Sequence, residues 1–581
     1  MNRETTQPAR RCAQGRSGRF VDLDFDKLRG GYYTPATLAS WMAAWAVRKN
    51  SDTVLEPSCG DGAFLDAVAK RLTDLGASSA DVARCLVGVE IVPAEAAAAR
   101  NRISARLGRK ADCVIQEEDF FGWWQREKRT SFDAIVGNPP FIRYQSCPEP
   151  FRARAMAIME SLELKPNRLT NIWVPFVAAA AASLRRGGRM ALVLPAEILQ
   201  VSYASQLRAF LTTHFFRIDV VACNELFFAN AEQEVVLLLA SDAAGEGTTV
   251  HDCRVSLVEA ATVNEIIGQS SSRLLAKSEP KLIRHDSEKW LKYFLSAKEI
   301  SLMRELRESG AVADLATHAA IDVGVVTGKN EFFVLSSAQV KEFGLNGHTV
   351  PVVSRSSQMR GAVITAADWR ALASGSDRVH LLDLTPINGS APKKSIAAYI
   401  RQGENSGFHN GYKCSIRTPW YAVPAIWVPD GLLFRQIYDF PRAVLNRAAA
   451  TTTDTIHRMR SSVPAELLIR NVYTHLTGAS AEIEGRSYGG GVLELEPTEA
   501  ERLLVPATLH DGLPLAEIDR LVRAGRLDLV LDENDRRVLI NGVGLARTEC
   551  QDLRAIWSKM RDRRLERKRG RPAIIPMVSD G

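Results

Sequence analysis

Short runs of apolar and β-branched residues, each ended by glycine, proline or an acidic residue, recur through the first half of the chain. Runs of this kind are typical of strands that are buried on both faces of a parallel sheet. The pattern predicts five such strands, at 53–55, 85–89, 113–116, 132–136 and 190–194. Two further apolar segments, 226–228 and 234–240, predict a hairpin that closes this half of the chain.

Helical segments separate these strands. Residues 36–47, 66–75 and 172–184 are predicted as helices, and Thr34 is expected to cap the first one with Pro35 at its first position. Strand, glycine-containing loop and helix follow one another from 53 to 75, which is the order of a Rossmann-like first crossover. The predicted fold class is therefore α/β, with ligands bound at the carboxyl edge of the sheet.

The strand at 132–136 stops abruptly at Gly-Asn-Pro-Pro-Phe, residues 137–141. Asn138 offers an amide oxygen, and Pro139 offers a carbonyl with no competing N–H. Two acceptors beside the ring of Phe141 suit a planar base with an exocyclic amine, such as adenine, because bonds accepted from the amine protons free the nitrogen lone pair. Stacking on the aromatic ring would contribute roughly 1–3 kcal/mol. A Pro-Pro turn after a core strand is the alternative.

The glycine loop at 56–65, Glu-Pro-Ser-Cys-Gly-Asp-Gly-Ala-Phe-Leu, is acidic. It lacks the third glycine of a dinucleotide fingerprint, and it places Asp61 at the start of a helix with Glu56 nearby. A pyrophosphate would be repelled there, whereas a cationic ligand would be attracted. The loop therefore favours S-adenosylmethionine, with its sulfonium and ammonium groups, over NAD or ATP.

Acidic residues also follow the next two strands. Glu90 stands where a carboxylate can take both ribose hydroxyls, and Ile91 is placed to pack on an adenine ring. Asp119 is a candidate acceptor for the adenine amine of the cofactor, with Phe120 alongside. Each acid alone is compatible with solvated surface, but acids after three successive strands favour a nucleoside site.

Composition narrows the classes of protein compatible with these motifs. A chain of 581 residues exceeds one core, so two or three domains are expected. The net charge of +7 is compatible with a polyanionic partner. No apolar run reaches membrane-spanning length and residues 1–30 lack the apolar core of a signal peptide, so we expect a cytoplasmic protein without membrane contact. Nine scattered cysteines without zinc spacing predict reduced thiols and no metal.

Taken in order, these motifs resemble those of the DNA adenine-N6 methyltransferases of the gamma, TaqI-like class. The resemblance covers about the first 245 residues and rests on Tyr33-Thr34-Pro35, Glu56 to Phe64, Val87-Gly88-Val89-Glu90, Asp119-Phe120 and Asn138 to Phe141. It implies a Rossmann-like class I S-adenosylmethionine-dependent methyltransferase domain. It further implies that Asn138 and the Pro139 carbonyl polarise the amine of a flipped adenine while Phe141 stacks on the base.

The resemblance also implies which residues form the catalytic site and which bind the cofactor. The catalytic residues would be Asn138, Pro139, Pro140 and Phe141. Those binding S-adenosylmethionine would be Tyr33, Thr34, Pro35, Glu56, Ser58, Gly60, Gly62, Glu90, Ile91, Asp119 and Phe120, with Glu90 on the ribose. Phe228 is a candidate second wall of the base pocket, with a core phenylalanine as the alternative. Phenylalanine at 141, where tyrosine is commoner, keeps the stacking ring but removes a hydroxyl.

The C-terminal half is expected to recognise the DNA target. We predict a flexible leader at 1–29, the catalytic domain at 30–245, a helical connector at 246–318, a mixed α+β target-recognition domain at 319–550 and a basic helix or tail at 551–581. Candidate DNA contacts are Lys329, Arg355, Arg360, Arg435 and Arg458, with solvated surface as the alternative for each. Nine basic residues against three acidic ones between 552 and 571 would add salt-sensitive affinity or serve only as a solubilising end.

These features predict a sequence-specific enzyme that moves a methyl group from S-adenosylmethionine to N6 of an adenine flipped out of double-stranded DNA. A type II restriction-modification role, beside a separately encoded endonuclease and as a monomer, follows from the resemblance. Methylation of RNA or of a protein glutamine is one alternative, because those enzymes also use Asn-Pro-Pro before an aromatic residue. A bifunctional enzyme that also cuts DNA is a second, although residues 1–29 are too few for a nuclease domain. A non-catalytic DNA-binding module is a third.

Overall fold

The fold is taken from a computed structural model, which describes residues 34–108, 114–127, 131–166, 170–223, 225, 227, 234–245, 247–278, 281, 284, 288–385, 393–488 and 491–569. The described residues divide into two compact units. The first unit contains those up to 196, from 202 to 231 and from 235 to 286. The second contains those within 197–201 and 232–234 and from 287 onward.

An eight-stranded sheet forms the centre of the first unit. Its strands are β1 (Val54–Glu56), β2 (Leu86–Glu90), β3 (Ile115–Glu117), β4 (Phe132–Gly137), β5 (Leu184–Pro195), β6 (Phe215–Cys223), β7 (Val235–Ala243) and β8 (Arg254–Ala260). They lie in the order β3-β2-β1-β4-β5-β7-β6-β8, and β7 runs antiparallel to both of its neighbours while the other pairs are parallel. All five predicted parallel strands are confirmed.

Helices flank this sheet. They are α1 (Ala36–Ala46), α2 (Ala63–Asp74), α3 (Ser79–Cys85), α4 (Pro93–Leu107), α5 (Phe120–Arg126), α6 (Phe151–Ser161), α7 (Trp173–Ala182), α8 (Ser205–His214), α9 (Val263–Ile267) and α10 (Ser271–Leu275). Helix α7 is apolar around its whole circumference, and all but its last residue are accordingly buried. The three predicted helices are confirmed, but Pro35 rather than Thr34 is the residue at the N-cap of α1, and no side chain bonds that cap.

Two sequence predictions about the first unit are wrong. The partner of β7 in the closing hairpin is β6, at 215–223, and not the segment 226–228. Residues 246–318 are not a helical connector, because 254–260 forms β8, paired with β6 along its whole length, and the second unit begins at 287. The middle of β8 is buried on both faces, because Val255 and Leu257 on one face and Ser256 and Val258 on the other are all buried.

The second unit is a mixed α+β assembly of small sheets. Its strands are β9 (Val312–Asp314), β10 (Ala319–Asp322), β11 (Val334–Ser336), β12 (Thr349–Val353), β13 (Val363–Thr365), β14 (Arg378–Leu382), β15 (Gly431–Phe434), β16 (Gln436–Ile437), β17 (Ala443–Arg447), β18 (Thr451–Thr452), β19 (Ile456–Ser461), β20 (Arg486–Tyr488), β21 (Val492–Glu494) and β22 (Leu504–Pro506). The largest sheet has the order β10-β19-β15-β17-β13 and the next has the order β11-β14-β12-β18.

The helices of the second unit surround these sheets. They are α11 (Ala297–Glu308), α12 (Asn330–Phe333), α13 (Ser337–Glu342), α14 (Ala366–Ser374), α15 (Lys394–Asn405), α16 (Tyr412–Ser415), α17 (Ala465–Val472), α18 (His475–Glu484), α19 (Pro497–Ala500), α20 (Leu515–Arg523), α21 (Leu527–Asn534) and α22 (Arg547–Arg569), with a π-helix at Asp535–Val543. No helix in the described part of the chain is both long and apolar enough to cross a lipid bilayer.

The end of the chain is not simply a basic tail. Arg564 of α22 is buried against α18, where it forms a two-bond ion pair with Glu482 and donates to the carbonyl of Gly491. At least this one of the nine basic residues therefore serves packing rather than DNA. The predicted leader at 1–29 and the residues after 569 lie outside the described part of the chain.

Candidate active site

A cavity of about 570 Å3 opens at the carboxyl ends of the parallel strands of the first unit. Its lining includes the end of β1 at Glu56, the end of β2 at Glu90 and the residue after β4, Asn138. Strand order reverses direction between β1 and β4, and open α/β sheets bind their ligands in the crevice at such a switch point. The cavity therefore lies where the topology requires a ligand site.

Glu56 places a buried carboxyl group at the floor of this cavity. The residue is 2% exposed, and Oε2 has no hydrogen-bond partner among the described residues. Burial raises the pKa of Glu56 well above its ordinary value, and the negative charges of Asp61 and Glu90 raise it further, while Arg102 opposes this. A buried carboxyl group that lacks a cation is suited to a positively charged ligand.

Glu90 fixes the glycine loop. Its Oε2 accepts from the backbone N–H of Gly60 and its Oε1 accepts from that of Val92, both at 2.8 Å. Burial raises the pKa of Glu90, and the two backbone donors oppose that rise. Each carboxylate oxygen keeps a second acceptor lone pair, so the group can hold the loop and still bind hydroxyls in the cavity.

The residue before Asn138 ends β4 in an unusual backbone conformation and packs against Glu56. Gly137 has φ +154°, and a Cβ placed there would stand 3.5 Å from Cγ of Glu56. The hydroxyl of Ser58 donates to the backbone carbonyl of Asn138 at 3.3 Å, which ties the glycine loop to the Asn-Pro-Pro turn. Asn138 and Pro140 both line the cavity.

Aromatic rings form another wall. Phe120 stacks on Phe176 with ring centroids 5.0 Å apart and planes at 14°, and Phe151 lies 6.3 Å from Phe176. All three line the cavity. Sequence reasoning identified only Phe120, because Phe151 and Phe176 come from α6 and α7, whose apolar patterns indicate burial but not which cavity they face.

The sequence predicts that Asp61 helps to attract a cationic ligand, and the structure does not bear this out. Asp61 lines the cavity but forms an ion pair with Arg102 of α4, so its charge is neutralised within the protein. The attraction for a cation therefore depends on Glu56 and Glu90 rather than on Asp61. Nothing local in the sequence indicated Arg102, which stands 41 residues further on.

Asp119 has a structural task in this conformation. Its carboxylate caps α5 by accepting from the backbone N–H groups of Phe121 and Gly122 at 3.0 and 3.1 Å, and it forms an ion pair with Arg154 at 2.8 Å. A role on the adenine of the cofactor stays a prediction for this residue.

The remaining predicted site residues divide by position. Thr34 lines the cavity at 6% exposure, and its hydroxyl has no partner among the described residues. Ile91 lines the cavity and is 53% exposed. Ser58 and Gly60 also line it. Of the described residues predicted for the site, five are not in the lining: Pro35, Gly62, Asp119, Pro139 and Phe141. Phe141 is half-buried against the apolar core, and Tyr33 and Phe228 lie outside the described residues.

Three of the basic residues predicted to contact DNA are accessible in the second unit. Arg355 and Arg360 are exposed. Lys329 is half-buried, with Nζ 5.1 Å from the ring centroid of Phe408. Their contacts to DNA stay predictions.

The charged groups of the other two are engaged within the protein, and their contacts to DNA stay predictions. Arg458 is 5% exposed and donates to the carbonyls of Val323 and Ala425, so it braces two loops. The guanidinium of Arg435 lies between the carboxylates of Glu494 and Glu496, at 2.8 and 2.6 Å, which compensate its charge.

The cavity matches the chemistry of S-adenosylmethionine. Its volume falls within the roughly 300–1,000 Å3 of small-molecule sites. The unbonded oxygen of Glu56 and the hydroxyl of Thr34 are polar groups that an amino-acid moiety can satisfy, and Glu90 stands where a ribose can be bound. The residues present thus fit a cationic nucleoside.

Comparison with protein families gives two matches that together span most of the chain. The family described as N-6 DNA Methylase matches residues 24–306. The family described as Type II methyltransferase M.Eco57I, C-terminal domain, matches residues 287–539. The second match begins where the second structural unit begins.

Individual relatives agree with these matches. The chain is similar to Type II methyltransferase M.AccI of Acinetobacter calcoaceticus, with 23% identity over 93% of this chain and 96% of the relative. It is also similar to Type II methyltransferase M.XamI of Xanthomonas campestris pv. amaranthicola, with 22% identity over 82% and 85%. In fold it is similar to the Type IIL restriction-modification enzyme MmeI, solved with DNA, at a TM-score of 0.51 and 13% identity over 91% of this chain and 75% of that one. Residues 24–306 thus match the N-6 DNA Methylase family, and the chain is an adenine-specific DNA methyltransferase that uses S-adenosyl-L-methionine.

Proposed function

We propose that this enzyme methylates N6 of an adenine that has left the DNA helix and entered the cavity next to Asn138, as in the gamma, TaqI-like class. The observation that carries this proposal is the position of Asn138, which is tied to the glycine loop by Ser58 and follows Gly137, the residue that packs against the buried Glu56. Adenine N6 is paired and stacked in the duplex, so the base must be extruded before the reaction.

The cofactor is held mainly by the ends of β1 and β2. S-adenosylmethionine, when bound, supplies an electrophilic methyl carbon on a sulfonium. In this proposal Glu56 accepts from its ammonium group together with Thr34, and Glu90 binds the ribose hydroxyls through its remaining lone pairs. The aromatic wall that contains Phe120 and Phe176 covers the adenine ring.

Asn138 and Pro139 act on the target base. The side-chain oxygen of Asn138 and the carbonyl of Pro139 accept the two amine protons, which withdraws the nitrogen lone pair from the ring and directs it toward the methyl group. Phe141 stacks on the base by turning its half-buried ring to the target. The proton that the amine loses after methyl transfer passes to solvent in this proposal.

The second unit recognises the DNA sequence in this proposal. Its match to the C-terminal domain of a type II methyltransferase, M.Eco57I, places it in the same class of enzyme as the first unit. The names of the relatives support a type II restriction-modification system, in which methylation protects host DNA in the cytoplasm from a separately encoded endonuclease. We propose a monomer, because the cavity is assembled from one unit of one chain.

The test is methyl transfer in vitro with three substrates. The purified full chain is incubated with labelled S-adenosylmethionine and unmethylated plasmid DNA, total RNA or a peptide-release factor, and the products are identified by mass spectrometry. We expect N6-methyladenine in DNA only, and plasmid that stays uncut in the presence of magnesium. Label in RNA or in glutamine, with none in DNA, would contradict the proposal.

A further inference from the structure

Two segments of the second unit pack together at its surface. The loop at 323–329 lies against the segment 408–417, which contains the short helix α16. Arg417 joins them by donating to the carbonyls of Thr327 and Val326 at 2.8 and 2.5 Å, and the thiol of Cys414 contacts the same Thr327 carbonyl at 3.9 Å.

These segments expose apolar side chains. Tyr412 is 74% exposed, Ile416 is 63% exposed and Val326 is 37% exposed. Exposed apolar groups gathered on one face indicate a binding surface, whereas single ones do not. We call the set Val326, Lys329, Tyr412, Lys413 and Ile416 the aromatic–basic surface.

The charged side chains within the two segments are all cationic. The stretches 323–330 and 407–420 contain Lys329, Lys413 and Arg417 and no aspartate or glutamate. Nζ of Lys413 lies 5.5 Å from the ring centroid of Tyr412, so a cation stands beside the most exposed aromatic ring. The acids Asp322 and Glu331 directly flank the first stretch and are exposed, and Glu404 of α15 accepts from the indole of Trp420. Cations interleaved with exposed rings are suited to a polyanion that carries flat bases.

An apolar cluster packs beneath the surface. The ring of Phe332 lies 4.7 Å from that of Tyr399 and 4.9 Å from that of Trp420, which forms an apolar base under both segments. Gly328 has φ +82°, and a Cβ there would stand 2.8 Å from Cβ of Lys413, so only glycine allows the loop to approach α16 this closely.

We propose that the aromatic–basic surface is where the second unit contacts duplex DNA, with Lys329 and Lys413 on phosphates and Tyr412 and Ile416 on base edges. This inference rests on the proposed recognition role of the second unit and assigns residues to it. The charge complementarity and the substrate of the enzyme favour DNA over a protein partner. Arg417 acts indirectly, by holding the two segments together.

The test measures DNA affinity of the full chain by fluorescence anisotropy. One labelled duplex contains the motif that the wild type methylates, and a second of equal length lacks it. We expect Tyr412→Ala to weaken binding of the motif duplex about tenfold while binding of the other duplex changes little. We expect Lys413→Gln to weaken both and to lower the salt dependence by about one phosphate contact.

Two control variants test whether a loss of DNA affinity is specific to this surface or follows from removing any exposed tyrosine or lysine. Tyr438→Ala removes another exposed tyrosine, and Lys341→Gln removes another exposed lysine of the same unit, so both should bind as the wild type does. Ile416→Ser provides a second variant at a highly exposed position. Unchanged affinity of Tyr412→Ala and Ile416→Ser for the motif duplex, with an unchanged salt dependence of Lys413→Gln, would overturn the inference.

This outcome is distinguishable from failure of the proposed function. If the wild type methylates and binds its motif but the variants match it, only the assignment of this surface fails. If the wild type neither methylates nor binds DNA, the proposed function itself fails.

Discussion

Replacing Glu56 by glutamine tests the electrostatic basis of cofactor binding. The carboxyl group is 2% exposed, and one oxygen lacks a partner among the described residues, so a bound ammonium group would gain a charge-assisted bond that glutamine cannot reproduce. Such bonds contribute about 1.5–3 kcal/mol, which corresponds to a loss of roughly ten- to hundredfold in affinity for S-adenosylmethionine. The shape of the side chain is retained, so the fold should survive.

The pH dependence of binding provides a second readout of the same change. Burial holds the pKa of Glu56 above its ordinary value in the free protein, and a bound cation lowers it, so binding releases a proton. Affinity should therefore rise with pH, by at most about tenfold per pH unit for one proton, until the pH exceeds the pKa of the free protein. The pKa of Glu56 is also influenced by the charges of Glu90, Asp61 and Arg102. The pH dependence of binding that is assigned to Glu56 is therefore only the part that disappears in Glu56→Gln.

Whereas affinity for S-adenosylmethionine should rise with pH, the free energy of unfolding of the ligand-free protein should fall as pH rises. A raised pKa in the folded state contributes stability at low pH that is lost as pH rises through that pKa. Isothermal titration calorimetry at several pH values measures affinity and proton release, and Glu95→Gln is the control because Glu95 lines the same cavity. An affinity for Glu56→Gln equal to that of the wild type, with the same pH dependence, would refute this reasoning.

Two further predictions concern buried polar groups. Arg564→Met should destabilise the second unit by about 3–5 kcal/mol, because it leaves Glu482 buried without its cation. Chemical denaturation should show that this variant loses more stability at high pH than at low pH, because burial raises the pKa of Glu482 and the carboxyl group can be neutral at low pH. The double variant Arg564→Met with Glu482→Leu should recover much of the stability. Thr34→Val removes a buried hydroxyl without a described partner, so melting temperature should hold or rise while affinity for S-adenosylmethionine falls about fivefold. Equal affinity would show that Thr34 does not touch the cofactor.

The central sheet could be predicted from the sequence because each strand carries its own signal. β-branched runs that end in glycine, proline or an acid mark β1, β2 and β4, and the carboxyl ends of these strands gather Glu56, Glu90 and Asn138. β8 could not be predicted because its seven residues stand in a charged stretch, and their pairing depends on β6, a strand about forty positions earlier.

Pairing between distant residues could not be predicted. Arg102 neutralises Asp61, Arg458 braces two loops and Arg564 is buried on Glu482, but each reads in the sequence as an ordinary surface cation. Their partners stand tens of residues away, and local pattern carries no information on which carboxyl or carbonyl group the fold will bring to them. Lone cations were therefore weaker predictors of function than the ordered motifs.

We propose that Asn138 directs methylation to adenine N6 in a defined DNA sequence. The most direct measurement is single-molecule sequencing of genomic DNA from a methylation-deficient host that expresses either the wild type or Asn138→Ala. We predict N6-methyladenine at one short motif with the wild type and none with Asn138→Ala, which should retain its affinity for S-adenosylmethionine. Adenine modification that persists in Asn138→Ala, or that is absent with both proteins, would contradict the claim.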